Sequence, residues 1–458
     1  MVGNSEHSVP KSALTGILWP AVPNHNDALL LAVVRQLEES QWWKPETLLS
    51  QQLRQIERVL GHALSTVPYY KQRLGFLAGR KAGTLTLEDF RRIPVLRRAD
   101  IQEAGAALIS TKIPSDHSPV FDIKTSGSTG RPIVTKGTAI TGLMLRAANL
   151  RYHLWFNRDF SAKTACIRML RGKQLEAAKA NKAVPWADGF SSGPMVMRHV
   201  TTPLSEQFDW LLDQKPDYLL TFPSNLLALI RLSKERHVKL SALREVITLG
   251  EALDPAVREI CEKEWGLPVV DAYSSQEFGM LAVQCPAAPH YHVQSENVLV
   301  EILDEKDMPC APGQTGRLVI TALHNFATPL IRYEIGDLAI PGESCACGRG
   351  LPVITRILGR TRNMLTLPSG EQICPRFIVE DFAFDLPIRQ FQIIQENLET
   401  LTVRLIADRK LAPKEEERIR KSLIETARHP FKVRIDYVTE IPRSASGKFE
   451  EFRSEVAI

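Results

Sequence analysis

The chain has 458 residues, more than one hydrophobic core usually organises, so two or three domains are expected. Apolar residues make up 44% and charged residues 24%, which excludes a disordered or fibrous chain and fits a globular one. A net charge of +5 with no long Lys/Arg block argues against a nucleic-acid-binding surface and fits affinity for small anions.

The opening MVGNSEHSVPKSAL lacks the charged-then-apolar order of a secretory signal, and no run approaches the ~18 apolar residues of a membrane span. Seven cysteines over this length do not make a disulfide scaffold. A cytoplasmic protein without a membrane or nucleic-acid partner is expected. Residues 27–75 read as helical, with apolar residues recurring at three and four in LLLAVVRQLEESQ and QQLRQIERVLGHAL, and VPYYKQRLG closes the segment with Pro and Gly.

From about residue 119 short apolar runs alternate with helical stretches. DYLLTF (217–222), REVITLG (244–250) and LPVVDAY (267–273) read as buried strands. Strands alternating with helices predict a mostly parallel α/β sheet with ligands at the strand C-terminal ends. From 292, HVQSENVLVEIL and GRLVITAL read as alternating, antiparallel strands. The last stretch, from about 363, holds strand-like FQIIQ, LTVRLIA and VRIDYV around a charged helix PKEEERIRKSLIETA, which predicts a small α+β domain.

Thr125-Ser126-Gly127-Ser128-Thr129-Gly130-Arg131-Pro132 packs glycines and hydroxyls behind Lys124. Glycines let successive N–H groups point into one concavity that suits an anion, and the hydroxyls add donors. The spacing is not that of a Walker A loop. Taken alone, the run reads equally as a phosphate cradle or a solvated loop. Cys285, His290, His292, Cys345 and Cys347 form a second constellation in turn-like, Pro/Gly-rich surroundings. Three thiolates and an imidazole match the tetrahedral preference of Zn²⁺, as a closed site that would brace the fold about 285–350. Cys166, Cys261, Cys310 and Cys374 read as packing residues.

Four further segments follow the 125–130 run in order: Tyr273-Ser-Ser-Gln-Glu277, Arg332-Tyr-Glu-Ile-Gly-Asp337, Gly359-Arg360-Thr-Arg-Asn-Met, and Pro442-Arg-Ser-Ala-Ser-Gly-Lys448. With these, and with VPYYKQRLG, RIPVLRRADI and LGEAL, the sequence from about residue 60 onward resembles the acyl-adenylate-forming superfamily, in its phenylacetate–CoA ligase-like branch.

The resemblance implies a large N-terminal adenylate-forming domain, 1–362, with mixed and parallel sheets, and a small mobile α+β domain, 363–458, hinged at Arg362. It implies ATP- and Mg²⁺-dependent activation of a carboxylic acid to an acyl-AMP with release of pyrophosphate, followed by transfer to coenzyme A. Thr125, Ser126, Gly127, Ser128, Thr129 and Gly130 would hold the departing phosphates. Glu277 would bind Mg²⁺, Tyr273 and Ser274 would face the adenine side, and Asp337 would accept the ribose hydroxyls. Arg360 would reach the ribose or phosphate, and Lys448 would bridge carboxylate and α-phosphate as a mobile point charge. The turn Gly250-Glu251-Ala252, with Phe222, Pro223, Ser224 and Ser275, would wall the nucleotide and acid pocket.

By the same resemblance His292, directly after an aromatic residue, is the metal ligand with Cys285, Cys345 and Cys347, rather than His290. The sequence departs from the branch at Gln276, where Ser or Thr is usual, at Arg362, where Asp is common, and loosely along LPSGEQICPRFIVED. Two alternatives therefore stay open: an amine, hydroxyl or carrier-protein thiol as acceptor, or a non-catalytic zinc-braced binding module. The identity of the acid, aromatic, aryl-alkyl or aliphatic, and the choice between monomer and homodimer are open as well.

Overall fold

A computed structural model describes residues 10–81, 83–124, 132–360, 363–373, 386–444 and 446–456. The chain divides into two compact units: residues 1–161, 185–193 and 272–357, and residues 162–184, 194–271 and 358–458.

The first unit opens with helices His25–Ser40 and Pro45–Thr66, where the 3.6-residue periodicity predicted them. The Asn24 side chain accepts the Asp27 N–H at 3.0 Å and starts the first helix, and Pro45 at the first position starts the second. Pro68 does not end the helical region. It opens a further short helix, Pro68–Arg73, because the first helical turn needs no N–H from that residue.

Strands Val120–Lys124 and Val134–Thr138 pair antiparallel. Helix Ala139–Trp155 follows the second of these directly, capped by Thr138. A largely antiparallel sheet carries the rest of the unit, in the order Val298–Leu303, Gly316–Ala322, Tyr333–Pro341, Val353–Arg360, Tyr291–Val293, Gly279–Gln284, Val269–Ser275. HVQSENVLVEIL is not one strand. Its polar centre turns at Gln294–Asn297, where the Asn297 N–H donates to the Gln294 carbonyl at 2.9 Å, and only Val298–Leu303 pairs with Gly316–Ala322. The core joins Ile56, Val59, Leu60 and Tyr70 of the helices to Leu281, Leu318, Ile320 and Tyr333 of the sheet.

In the second unit four parallel strands lie in the order Glu245–Leu249, Tyr218–Thr221, Thr164–Arg168, Pro194–His199. From Thr164–Arg168 the chain passes first to one side, then returns to Tyr218–Thr221 on the other. The strand order thus reverses between these two, and a crevice outside their carboxyl ends is the expected ligand position. Leu219, Leu229, Phe208, Leu211 and Ile167 fill one core layer, and Leu226, Ile230, Val246, Val257 and Ile260 another. The C-terminal segment forms Ile388–Asn397 antiparallel to Thr400–Ala407, with Lys432–Tyr437 and Phe452–Ser454 parallel at the two edges and helix Pro413–Ala427 packed through Ile419 and Leu423. Among the described residues no helix is long and apolar enough to cross a membrane.

Candidate active site and metal centre

The carboxyl ends of the parallel strands collect most of the residues singled out in the second unit. Phe222 follows strand Tyr218–Thr221 and caps helix Pro223–Arg236, whose first residue Pro223 is buried with it. Its ring, 2% exposed, belongs to the core and underlies Gly250. Gly250 has φ +92°, and a Cβ there would lie 3.0 Å from the Phe222 ring, so the position needs glycine on both counts. The same Cβ position is 3.8 Å from Lys448 Cε, which sets the Ser-Gly-Lys turn against the Gly250–Ala252 turn. Ala252 lies 3.7 Å from where a Gly359 Cβ would stand, the residue before Arg360.

Glu251 holds this arrangement together. Its side chain, 8% exposed, accepts the Ser224 N–H at 3.0 Å and the Phe449 N–H at 2.6 Å. Arg443 stands 3.5 Å from the same carboxylate and donates to Ser224 Oγ at 3.0 Å and to the Gly447 carbonyl at 3.1 Å. Burial pushes the Glu251 carboxyl above its ordinary range, while the Phe449 N–H and Arg443 pull it back. Burial, and then the charges of Glu251 and Asp254, push Glu451 up to about 7, against Arg231. Gly447 has φ +79°, and a Cβ there would meet Met169 at 2.9 Å and Val200 at 3.2 Å, beyond the ends of strands Thr164–Arg168 and Pro194–His199. The turn carrying Lys448 is therefore seated at the crevice that the strand order defines.

The first unit brings together a second group. Tyr273, on strand Val269–Ser275, donates its hydroxyl to Asp337 at 2.5 Å, and Asp337 is 8% exposed within Tyr333–Pro341. Ser274 and Ser275 end the same strand, and Ser275 Oγ accepts the Phe278 N–H at 3.2 Å. Glu277, half-buried, occupies the turn into Gly279–Gln284. Arg332 of the same motif has a structural place: it is buried, pairs with Glu301 at 2.9 Å and donates to the carbonyls of Arg91 and Ile93. Thr125, Ser126, Gly127, Ser128, Thr129 and Gly130 lie outside the described residues, as do Arg131, Arg362 and Cys374.

The metal-ligand set also falls in the first unit. Cys285, His292, Cys345 and Cys347 place their ligand atoms within 4.8 Å of one another. Cys285 Sγ is 3.8 Å from Cys345 Sγ, and Cys347 Sγ is 3.3 Å from His292 Nε2. A tetrahedral Zn²⁺ with its usual Zn–S and Zn–N bonds has ligand–ligand edges of about 3.5–3.8 Å; these two pairs stand close to that spacing, and the whole set lies within about 1 Å of it. The His292 Nδ1 faces the Leu351 carbonyl at 3.3 Å, which fixes the tautomer with a bare Nε2 toward the sulfurs. Burial pushes the imidazole down to about 4, keeping it neutral as a metal ligand must be. Sulfur acceptors are supplied with donors: the Ala287 N–H to Cys285 at 3.4 Å and the Cys347 N–H to Cys345 at 3.3 Å. Cys285, expected in an open turn, is instead fully buried at the end of Gly279–Gln284. Cys166 and Cys261 are buried, as packing residues are, and Cys310 is half-buried.

Four contributing residues were not evident from the sequence. Arg443 and Phe449, which hold the Lys448 turn, sat inside or beside a quoted motif, but their partner Glu251 could not be matched to them from spacing. Arg349, two residues after Cys347, is stacked on Trp42 at 4.8 Å and Trp155 at 4.2 Å and donates to Gln41 Oε1 at 2.9 Å. It ties the metal-ligand loop to the junction of the first two helices. Arg151, 1% exposed, is paired with Glu296 at 2.9 Å and further donates to Gln294 and to the Leu37 carbonyl.

The profile of the family described as AMP-binding enzyme matches residues 86–327, and that of the CapK C-terminal domain matches residues 368–454. The phenylacetate-coenzyme A ligase of Thermus thermophilus is 25% identical over 338 residues, covering 70% of this chain and 72% of that protein. The enzyme of the same name from Escherichia coli is 24% identical over 386 residues, 79% of this chain and 82% of that one. Among solved structures, a 2-hydroxyisobutyryl-CoA ligase in complex with 2-HIB-AMP superposes with a TM-score of 0.72 at 19% identity, covering 88% of this chain and 89% of the other.

Proposed function

This chain belongs to the AMP-binding enzyme family, in the phenylacetate–CoA ligase-like branch of the acyl-adenylate-forming superfamily, and from that premise we propose how its residues activate an acid. The enzyme is an AMP-forming acid–CoA ligase. A carboxylate oxygen of the substrate attacks the α-phosphorus of ATP, and the bond to the bridging oxygen of the β-phosphate breaks as pyrophosphate leaves. The thiol of coenzyme A then attacks the acyl carbon, forming the thioester and releasing AMP. The acid is aromatic or aryl-alkyl, a reading supported by the names of the relatives.

Two anions must approach in the first step, so the site has to supply positive charge where they meet. Lys448 does this, and the observation that carries the reading is its seat against Gly250 at the carboxyl ends of the parallel strands. Asp337, oriented by Tyr273, accepts the ribose hydroxyls. Ser274 faces the adenine side and Ser275 the acid; Ser224 also bounds the acid, on the support of Phe222 and Pro223, which are buried beneath it and do not wall the pocket themselves. The hydroxyls and amides of residues 125–130 cradle the β- and γ-phosphates, and Arg360 meets the nucleotide from the end of its strand. Glu277 would hold Mg²⁺, whose role there is to neutralise phosphate charge. Residues 363–458 act as the mobile domain, turning about Arg362 between the two half-reactions.

Cys285, His292, Cys345 and Cys347 would hold a structural Zn²⁺: four protein donors leave no open position, so that ion braces the loop and takes no part in the chemistry. The test offers ATP, Mg²⁺ and a panel of aromatic, aryl-alkyl and aliphatic acids, scored by pyrophosphate release. Coenzyme A, amino acids and a carrier protein are then supplied together and the product is identified by mass. Acyl-CoA from an aromatic acid is expected. An amide or carrier-bound acyl group as the product overturns the choice of acceptor, and no pyrophosphate with any acid overturns the function.

A further inference from the structure

We propose that Glu251 is the receiver for the C-terminal turn, a positioning residue that seats Lys448 by accepting the Phe449 N–H while Arg443 closes over it; the inference rests on the adenylation role given to Lys448 above. Lys448 is held on both sides. Before it, Gly447 is pressed on Met169 and Val200 with no room for a Cβ. After it, the Phe449 N–H ends on Glu251 at 2.6 Å. Between these anchors the turn is closed on itself, with the Gly447 N–H donating to the Ser444 carbonyl at 2.8 Å and the Ser444 N–H to the Lys448 carbonyl at 2.9 Å. These bonds fix the backbone on either side of Lys448, and so the point from which its side chain leaves, with Cε 3.8 Å from the Cβ position of Gly250.

The receiver is complete only when the turn is present. Glu251 lies over the first turn of helix Pro223–Arg236, where the Ser224 N–H and the helix dipole favour an anion. Those contacts leave one oxygen for a donor from elsewhere, and in a nearly buried site that oxygen is costly to leave bare. The Phe449 N–H and the Arg443 guanidinium fill that need, and Arg443 clamps both parts at once through Ser224 Oγ and the Gly447 carbonyl. Withdrawal of the turn uncovers the carboxylate, so the pairing favours the state in which Lys448 is in place. Misplacement of a catalytic group by about 1 Å can cost on the order of 10²-fold in rate, which makes a remote seat of this kind kinetically visible.

Three variants of the full chain test this: E251Q, R443A and K448A. Amide hydrogen exchange over peptides spanning 446–456 is expected to speed up about tenfold in E251Q and R443A, with the rest of the second unit unchanged. ATP–pyrophosphate exchange is then followed with phenylacetate, benzoate and 2-hydroxyisobutyrate offered together. In E251Q its rate is expected to fall at least tenfold with the KM for ATP moved less than threefold, and R443A is expected to follow. Unaltered amide protection in both E251Q and R443A overturns the inference, as does loss of protection across the whole unit, which would mark a purely structural residue. If K448A loses pyrophosphate exchange while E251Q and R443A keep it, the receiver alone is wrong. If K448A keeps it, the adenylation role of Lys448 is wrong, and if no acid supports exchange the amide measurement decides by itself.

Discussion

The Cys/His cluster and the seat of Lys448 are each built from distant pieces of chain, yet they are held in different ways. The cluster is closed by side chains: three sulfurs and one imidazole nitrogen converge within 4.8 Å, and the backbone contributes only supporting N–H groups. The Lys448 seat is closed mainly by backbone, with the one guanidinium of Arg443 laid over it. The two direct N–H bonds to Glu251 come from Ser224 and Phe449, and the fit at Gly447 depends on a missing side chain. A side-chain cage, once filled, has no reason to open. A backbone seat around a single carboxylate can be entered and left. The difference matches what each region is proposed to do, one bracing a loop and the other receiving a turn that must move between two half-reactions.

The largest test of that contrast is K448A. Acid-dependent ATP–pyrophosphate exchange is expected to fall by about 10²–10³-fold, the scale of losing one charged transition-state contact. Transfer to coenzyme A from supplied acyl-AMP is expected to fall far less. Equal loss in both half-reactions would mean that the lysine supports the fold and not the first step.

C345A tests the other side. It should release bound zinc and lower the Tm by about 5–10 °C, as loss of a structural site does, and the cut should fall first on the loop joined to the helices through Arg349. Its kcat should stay within a few-fold of the unchanged enzyme below the melting range. A protein that binds no zinc and melts as before would remove the metal from the account.

The smallest effect is expected from Glu451. Its folded-state value of about 7 lies above the ordinary 4.5, so the native state binds the proton more tightly than the unfolded chain. Stability therefore declines as pH rises from about 4.5 to about 7, and the full penalty stands above that range. E451Q removes the charge and should raise stability at pH 8 by on the order of 1 kcal/mol, with a smaller gain at pH 5. A shift in Tm that is the same at both pH values would contradict this origin.

Much of the fold was legible because periodicity is a local property. PKEEERIRKSLIETA is helical from Pro413 to Ala427, and REVITLG and LTVRLIA are strands as read. Cys285, His292, Cys345 and Cys347 were legible because the ligand chemistry resides in residue type, and the tertiary structure joined His292 to the sulfurs rather than His290. Less visible was the turn at Gln294–Asn297 inside what reads as one alternating strand, since its buried Gln294 and Ser295 look like part of that alternation. The parallel order that places Thr164–Arg168 beside Tyr218–Thr221 was likewise hidden, because pairing partners are chosen by packing across many residues.

What the sequence determined by itself is the inventory: which stretches favour helix or strand, which donors exist, and which order of motifs marks the family. What only the tertiary structure decided is convergence, above all that Glu251 meets Ser224 and a backbone N–H 198 positions away at Phe449. The physical reason is that a peptide N–H is the same group in nearly every residue. Its position in space, and not its identity, makes it part of a site, and that position is fixed only once the cores have packed.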